Sequence, residues 1–201
     1  MCGIVAYIGN KVAREILLEG LKRLEYRGYD SAGIAMINGG VHVAKTIGRV
    51  AGLEEMVNCD ANFGGSLGIA HTRWATHGKP SDANAHPHSD DQKHGRGIWL
   101  VHNGIIENYA SLKKYLQGKG HTFISETDTE VLTHLIGEFY DGDLEQAVQT
   151  ALREVTGAYA IAVICEEEPG VLVAARKGSP LLVGVGKDEY IVASDSSAIV
   201  A

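Results

Sequence analysis

The sequence predicts an α+β domain built from two largely antiparallel sheets that are covered by helices. Three observations lead to this prediction. Short apolar strand segments occupy both ends of the 201-residue chain, amphipathic helical segments are concentrated in the middle, and Asn38-Gly39-Gly40 marks a tight β-hairpin. The sequence contains no internal repeat, low-complexity tract or linker, so residues 1–201 are expected to form one domain with a substantial core.

The helices are predicted from apolar residues that recur every three or four positions. They are expected over residues 12–24, 50–58, 108–116, 129–140 and 144–155. The helix at 129–140 has the clearest start, because Thr127 or Asp128 can cap it and Glu130 lies three residues after Thr127.

The strands are predicted from short apolar or alternating runs bounded by glycine and polar residues. The first is the apolar run between Gly3 and Gly9. The others are expected over residues 32–37, 41–45, 67–71, 98–102, 158–165, 171–175, 181–185 and 190–193. Residues 196–201 look like a helix that has barely begun, so we expect the chain to be a domain of a longer polypeptide.

The composition excludes several classes of function. A content of 45% hydrophobic and 21% charged residues is typical of a soluble globular protein, and the net charge of −7 argues against non-specific nucleic-acid binding. No apolar run approaches the ~18 residues that a membrane span requires, and no secretory signal is visible. Cys2, Cys59 and Cys165 are widely spaced and odd in number, which favours a reducing cytoplasm.

Cys2 is the first candidate for chemistry. Removal of the initiator methionine would leave Cys2 at the N-terminus, with a thiol and an α-amine on one residue. Such an amine has a pKa near ~8 and can accept and return a proton, which makes the residue a self-activated nucleophile. The alternative is that Cys2 is a small hydrophobic residue at the start of a buried strand.

Asn103-Gly104 directly follows a predicted strand. The asparagine side-chain amide and the glycine backbone N–H can both donate to an oxyanion, and losing one such donor typically costs ~3 kcal/mol of transition-state stabilisation. The alternative is an ordinary Asn-Gly turn between two strands.

Arg73 and Asp128 together suit the binding of a free amino acid. An arginine binds the α-carboxylate through two parallel hydrogen bonds, and an aspartate pairs with the ammonium group. The alternative is a solvated Arg73 and a helix-capping Asp128. Asp128 can also do both, capping with one oxygen and binding a ligand with the other.

A polar segment over residues 72–92 has neither helical nor strand periodicity, and long stretches of this kind inside compact domains are usually functional or disordered. With the residue before it, the segment contributes four histidines: His71, His77, His86 and His88. It lacks the His-Glu-x-x-His spacing and thiolate partners of a zinc site. We therefore expect no metal, and instead a substrate pocket shaped by polar side chains.

Six motifs, in order and covering essentially the whole chain, resemble the glutaminase domain of the glucosamine-6-phosphate synthase family, whose members are glutamine–fructose-6-phosphate aminotransferases. The motifs are Cys2-Gly3-Ile4-Val5, Arg27-Gly28-Tyr29-Asp30-Ser31-Ala32-Gly33, His71-Thr72-Arg73-Trp74-Ala75-Thr76-His77-Gly78, Asn84-Ala85-His86-Pro87-His88, His102-Asn103-Gly104-Ile105-Ile106-Glu107-Asn108 and Ser125-Glu126-Thr127-Asp128-Thr129-Glu130.

The resemblance implies a fold and a catalytic group. The fold is that of the N-terminal-nucleophile hydrolases, a four-layer sandwich with two antiparallel sheets between helical layers. Cys2 would be the nucleophile, its free amine the proton carrier, and Asn103 with Gly104 the oxyanion hole. His86 would lie nearby in a supporting role.

The resemblance also implies how glutamine is bound. Arg73 would bind its carboxylate and Asp128 its amino group. Trp74, Thr76 and His77 would belong to a loop over residues 73–80 that closes on the substrate, and Trp74 would also gate the passage of ammonia. No cofactor is implied.

The family's full enzyme continues into a sugar isomerase portion that is absent from residues 1–201. The fragment is therefore expected to hydrolyse glutamine and release ammonia, whereas fructose 6-phosphate would be bound only through the missing portion. The full enzyme is expected to be a cytoplasmic homo-oligomer. A retained Met1 would replace the amine of Cys2 by an amide and inactivate the site.

Other functions remain compatible with the same residues. One is the same chemistry serving another acceptor, as in amidophosphoribosyl transfer or asparagine synthesis. Another is an N-terminal cysteine hydrolase that acts on other amides. A third is a catalytically silent module that only binds glutamine.

Overall fold

The structure, a computed structural model, describes residues 2–74, 79–90 and 97–199. It has four layers, in which two antiparallel sheets pack face to face and helices cover both outer faces. This is the α+β arrangement that the sequence predicts.

Ten strands are described, and every paired neighbour in either sheet is antiparallel. In chain order they are β1 (Gly3–Ile8), β2 (Ser31–Ile37), β3 (Val41–Ile47), β4 (Leu67–Arg73), β5 (His88–Ser89), β6 (Ile98–Ile106), β7 (Gly157–Cys165), β8 (Leu172–Lys177), β9 (Leu182–Gly186) and β10 (Glu189–Ala193). The first sheet has the order β3-β2-β4-β1-β10-β9, and the second has the order β5-β6-β7-β8.

Five α-helices are described in the same residues. They are α1 (Ala13–Leu24), α2 (Val50–Asn58), α3 (Tyr109–Gly118), α4 (Asp128–Phe139) and α5 (Leu144–Arg153). The apolar sides of α1 and α2 pack on the first sheet, and those of α3, α4 and α5 pack on the second. No helix in the described part of the chain is long and apolar enough to cross a membrane.

A third apolar cluster fills most of the space between the two sheets. Successive side chains of a strand point to opposite faces, so every second residue of β1, β4 and β6 enters this space. It receives Ile4 and Ala6 from β1, Ile69 from β4 and Val101 from β6, all fully buried. The same alternation carries the next inward position of each strand to one end of the layer, where the candidate site lies.

The predicted helices, hairpin and strands are confirmed to within a few residues, with four differences. The short strand β5 was not predicted, since it lies in the segment 72–92 that was expected to lack strand periodicity. Asn103-Gly104 is not a turn at a strand end, because β6 continues through both residues to Ile106 in register with β7. Strand β4 extends past His71 to Arg73, because both of its neighbours pair with it that far or nearly so. The expected helix near the end is a single 3-10 turn over Ser196–Ala198.

Candidate active site

Cys2 lies immediately before β1, half-buried, on the side of the strand that faces the second sheet. Pairing of Gly3 with Thr72 places it beside the end of β4. The backbone N–H of Trp74 donates to Cys2 Sγ at 3.2 Å, and the thiol donates to the Trp74 carbonyl oxygen at 3.6 Å. The sulfur is therefore held by the backbone that follows β4.

Burial raises the pKa of the Cys2 thiol, and the Trp74 backbone and the positive charge of Arg73 only partly oppose that rise. A thiol in this state is protonated near neutral pH. Because the thiolate is the reactive form, attack by Cys2 requires a base.

Asn103 lies on β6 and reaches across to the first sheet. Its side-chain Nδ2 donates to the Cys2 carbonyl oxygen at 2.9 Å, and its Oδ1 lies 3.0 Å from His71 Nε2. Asn103 therefore contacts the residue that is predicted to be the nucleophile. Its Nδ2 has two hydrogens, and the bond to Cys2 uses one of them.

Gly104 continues the strand with a backbone conformation that other residues avoid. Its φ is +132°, and a Cβ at this position would lie 2.0 Å from the Ala158 carbonyl oxygen on β7. A glycine is therefore required directly after Asn103 if β6 and β7 are to pair here.

Arg73 ends β4 and is buried, with 4% of its surface exposed. Burial lowers the pKa of the guanidinium, while the nearby Cys2, Asp30 and Asp128 act in the opposite direction. The Asp30 backbone N–H donates to the Arg73 carbonyl oxygen at 3.0 Å, which ties the segment before β2 to the end of β4.

Asp128 is the first residue of α4 and is also buried. Its Oδ2 accepts a hydrogen bond from the backbone N–H of Ile106 at 2.8 Å, which joins α4 to the end of β6. The cap of α4 is Thr127, whose Oγ1 accepts from the Glu130 N–H. The possibility that Asp128 caps the helix is thus wrong, because its carboxylate is turned towards β6.

His71, His86 and His88 form a buried group that we call the histidine cluster. The ring centroids of His71 and His86 are 4.1 Å apart, and those of His86 and His88 are 4.8 Å apart. Burial lowers the pKa of His71 to about 3, and it lowers the pKa values of His86 and His88 well below their usual range. The cluster is therefore uncharged at neutral pH.

Hydrogen bonds and close packing hold this cluster in place. His88 Nε2 lies 3.1 Å from Thr127 Oγ1, at the start of α4. The carbonyl oxygen of His86 lies only 2.1 Å from where a Cβ on Gly33 would be, so a larger residue in β2 would displace this segment.

Trp74 marks the solvent side of the site. The residue is 47% exposed, and its ring meets Tyr29 edge-on, with 5.9 Å between the centroids. Its backbone contacts Cys2, as described above, while its side chain is turned towards solvent.

Seven of the nine residues predicted for the site lie in one connected region. They are Cys2, Arg73, Trp74, His86, Asn103, Gly104 and Asp128. The other two, Thr76 and His77, lie outside the described residues. Within the described ranges, no group of three or more histidine, cysteine or acidic residues is placed to hold a metal ion.

The sequence analysis gave no individual role to two participants, His71, which it named only within the group of four histidines, and His102. His71 Nε2 lies within hydrogen-bond distance of Asn103 Oδ1 and of the His102 carbonyl oxygen, and His102 Nδ1 lies 3.0 Å from Thr129 Oγ1 on α4. A signal for His71 was present, because it lies two residues before Arg73 and thus on the same face of the same strand.

The four-layer fold recurs in solved structures. A phosphoribosylpyrophosphate amidotransferase from B. subtilis, complexed with ADP and GMP, superposes with a TM-score of 0.83 at 30% identity, over 98% of this chain and 43% of that one. A class-II glutamine aminotransferase domain protein from Silicibacter pomeroyi shares the fold alone, with a TM-score of 0.63 at 16% identity, over 96% of this chain and 88% of that one. The molecule has the N-terminal-nucleophile hydrolase fold.

Sequence comparison identifies the family within that class. The family described as "Glutamine amidotransferase domain" matches residues 71–201, well over half of the chain, and the chain belongs to it. The match begins after Cys2, so it does not itself assign a role to the thiol.

Curated relatives agree with this assignment. Proteins named glutamine–fructose-6-phosphate aminotransferase (isomerizing) are 56% identical in Clostridium tetani, over 99% of this chain, and 54% identical in Chlorobaculum tepidum, over its full length. The chain covers 32% and 33% of those proteins, respectively, and so spans about a third of the length of these relatives.

Proposed function

We propose that this chain hydrolyses L-glutamine to glutamate and ammonia through a thioester on Cys2. One observation carries the proposal: the side-chain amide of Asn103 donates to the backbone of Cys2 at 2.9 Å in a chain that belongs to the glutamine amidotransferase domain family. An amide donor beside a potential N-terminal thiol is what acyl transfer from an amide requires.

The reaction has two steps. In the first, the free α-amine of processed Cys2 takes the thiol proton, and the sulfur attacks the side-chain amide carbon of glutamine. The resulting oxyanion accepts hydrogen bonds from Asn103 Nδ2 and the Gly104 N–H, and the amine then protonates the departing ammonia. In the second step, water hydrolyses the glutamyl thioester and restores the thiol. The raised pKa of the thiol supports the need for a base in the first step.

Glutamine is oriented by two charged groups of the site, Arg73 and Asp128. Arg73 binds the α-carboxylate, and Asp128 binds the α-ammonium through the side of its carboxylate not used by Ile106. Support comes from the burial of both residues and from their electrostatic interaction. Trp74 gates the passage of ammonia. The role predicted for Thr76 and His77, in a loop that closes over glutamine, concerns residues outside those that the structure describes.

His86 supports the site indirectly. Its Nδ1 lies 3.3 Å from His71 Nε2, and His71 in turn contacts Asn103. His86 thus packs behind the oxyanion donor without contacting Cys2.

Residues 1–201 constitute the glutaminase domain of a longer, homo-oligomeric cytoplasmic enzyme. In that enzyme, the ammonia aminates fructose 6-phosphate in a sugar isomerase portion outside this chain. The names of the relatives and the fraction of their length that the chain covers support this part of the proposal.

The test compares two forms of the chain, one that begins at Cys2 and one that retains Met1, with intact mass spectrometry establishing which form is present. The form beginning at Cys2 should release glutamate and ammonia in equal amounts from glutamine, and far less from asparagine or acylated amino acids. The Met1 form should be inactive. Calorimetric binding of glutamine by the processed form without release of glutamate would instead identify a binding module.

A further inference from the structure

We propose that His71 is a positioning residue that fixes the orientation of the Asn103 side-chain amide, so that its N–H groups face Cys2. The inference rests on the proposed function, since it assigns a reason for the orientation of the proposed oxyanion donor. It concerns a residue whose hydrogen bonds in the structure go to His102, Asn103 and His86, and not to Cys2.

The proton on His71 can be assigned from its neighbours. His71 Nε2 lies 3.1 Å from the carbonyl oxygen of His102. A backbone carbonyl can only accept a hydrogen bond, so Nε2 must carry the proton. The neutral ring is therefore the Nε2–H tautomer, and its one proton is shared between the His102 carbonyl oxygen and Asn103 Oδ1. His86 Nδ1 lies 3.3 Å from the same nitrogen and must then be the unprotonated nitrogen of its ring.

The orientation of Asn103 follows from two independent contacts. The atom that lies 2.9 Å from the Cys2 carbonyl oxygen must be the amide nitrogen, because that carbonyl also can only accept. Oδ1 then lies 3.0 Å from His71 Nε2, where it accepts the assigned proton. A reversed amide would place oxygen against the Cys2 oxygen and N–H against the His71 N–H, so both contacts specify the same orientation.

The hydrogen bonds that the structure gives the His71 ring all involve Nε2. His71 is 1% exposed, and among the described residues its Nδ1 has no hydrogen-bond partner. A buried acceptor without a partner is destabilising. The ring nevertheless keeps Nε2 towards His102 and Asn103, and burial keeps it neutral, so the donor remains in place across the physiological pH range.

The orientation matters because the two ends of an amide act oppositely on an oxyanion. With His71 in place, the second hydrogen of Asn103 Nδ2 remains for the developing negative charge. Without the His71 donor, only the contact with the Cys2 carbonyl oxygen opposes rotation of the amide, and a rotated amide presents Oδ1, which repels that charge. The expected loss is similar to that of removing the donor itself, on the order of 100-fold in kcat.

The kinetic test uses the full chain, beginning at Cys2, and four variants. His71→Leu removes the donor with little change in size, and we expect kcat to fall about 100-fold while glutamine affinity, measured calorimetrically in a Cys2→Ala background, changes less than about threefold. His71→Gln restores an N–H at a similar reach, and we expect its kcat to be at least about tenfold higher than that of His71→Leu. Asn103→Ala should lower kcat about 100-fold or more, and the double variant should be no worse.

Three kinetic results would overturn the proposal. The first is a double variant whose loss of kcat equals the product of the two single losses. The second is a His71→Leu variant in which only KM changes, and the third is a His71→Gln variant whose kcat is no higher than that of His71→Leu. Thermal melting of each variant shows whether it is folded, and a variant that does not fold is replaced by the tautomer measurement described next.

A measurement independent of turnover separates this inference from the proposed function. Long-range ¹H–¹⁵N NMR spectra of the unmodified chain report which nitrogen of His71 carries the proton. The Nε2–H tautomer is expected, and an Nδ1–H tautomer would refute the positioning role even in a fully active enzyme. If the chain hydrolyses no glutamine, the proposed function fails, while the tautomer still decides whether His71 donates to Asn103.

Discussion

The space between the two sheets is lined by the same strands at both ends, but one end is apolar and the other, at the candidate active site, is polar. On β4, Leu67 and Ile69 face the apolar end, whereas the next two inward positions are His71 and Arg73. The backbone pairing is continuous through both ends. One run of alternating residues therefore contributes first to the core and then, two positions later, to the candidate active site.

The two ends also differ in how they affect stability. Fully burying an isoleucine side chain stabilises a fold by about 2–3 kcal/mol, whereas a neutral hydrogen bond contributes about 1 kcal/mol net. At the polar end, buried atoms such as His71 Nδ1 have no hydrogen-bond partner among the described residues. The apolar end should therefore account for most of the stability of this layer, and the polar end for its chemistry.

The largest effect is expected at the polar end. Cys2→Ala should abolish glutamine turnover, with a loss of about 10⁴-fold or more in kcat, because the variant lacks the nucleophile. Glutamine binding by calorimetry and the free energy of unfolding should change little, because Cys2 is only half-buried and alanine keeps the backbone carbonyl that accepts from Asn103. Turnover near that of the unmodified chain would remove Cys2 from the mechanism.

The reverse outcome is expected at the apolar end. Ile69→Ala should lower the free energy of unfolding by about 3 kcal/mol, because it leaves a cavity between the sheets. Its kcat per folded molecule should remain close to that of the unmodified chain, even though Ile69 lies two residues from His71. Urea unfolding and a glutaminase assay on the same samples measure both quantities, and a selective loss of kcat would mean that the two ends are not separable.

Arg73→Lys sharpens the comparison within the polar end. It keeps the positive charge and removes the paired N–H donors, so KM for glutamine should rise about tenfold with a smaller change in kcat. Arg49→Lys, at an exposed position before α2, is the matched control and should leave KM unchanged. An unchanged KM in Arg73→Lys would place the carboxylate of glutamine elsewhere.

The smallest effect concerns pH. In the unfolded chain a histidine binds a proton as the pH falls through about 6.5, whereas folded His71 stays neutral until a pH of about 3. The unfolded state therefore binds more protons in this window. The free energy of unfolding decreases as the pH is lowered, by about 1.4 kcal/mol per pH unit for each such histidine. This contribution is absent above a pH of about 6.5.

His88→Gln should reduce the dependence of the free energy of unfolding on pH by up to about 1.4 kcal/mol per pH unit, the contribution of one histidine. Urea unfolding at pH 7, 6 and 5 measures this dependence. Ile69→Val is the control from the apolar end. It should lower stability by about 1 kcal/mol at every pH and leave the slope unchanged. An equal slope in His88→Gln and the unmodified chain would mean that His88 is protonated alike in the folded and unfolded states.

Much of the fold could be predicted because its signals are local. Helical periodicity located α1 to α5, and Asn38-Gly39-Gly40 located the hairpin between β2 and β3. Residue chemistry also singled out Cys2, Asn103 and Asp128 before any geometry was known, and these lie in one region.

The parts that could not be predicted depend on partners distant in the chain. Asn103-Gly104 is a turn signal by itself, and only the pairing of these two residues with Ala160 and Tyr159 extends the strand through them. Glu130 has the spacing of a capping box, yet its carboxylate accepts from Ser125 instead of the Thr127 N–H. The Thr127 N–H donates to Ser125 Oγ instead, and the spacing of Thr127 and Glu130 alone could not show this.

The Asn103–Cys2 hydrogen bond joins a side chain of one sheet to the backbone of the other. It therefore connects the two sheets at the site where the chemistry is proposed to occur. Any breathing motion that parts the sheets at this end would separate donor from nucleophile while every strand stayed intact. Glutaminase activity would then depend on the contact between the two sheets at this end. The activity would be lost under milder conditions than those that unfold the domain.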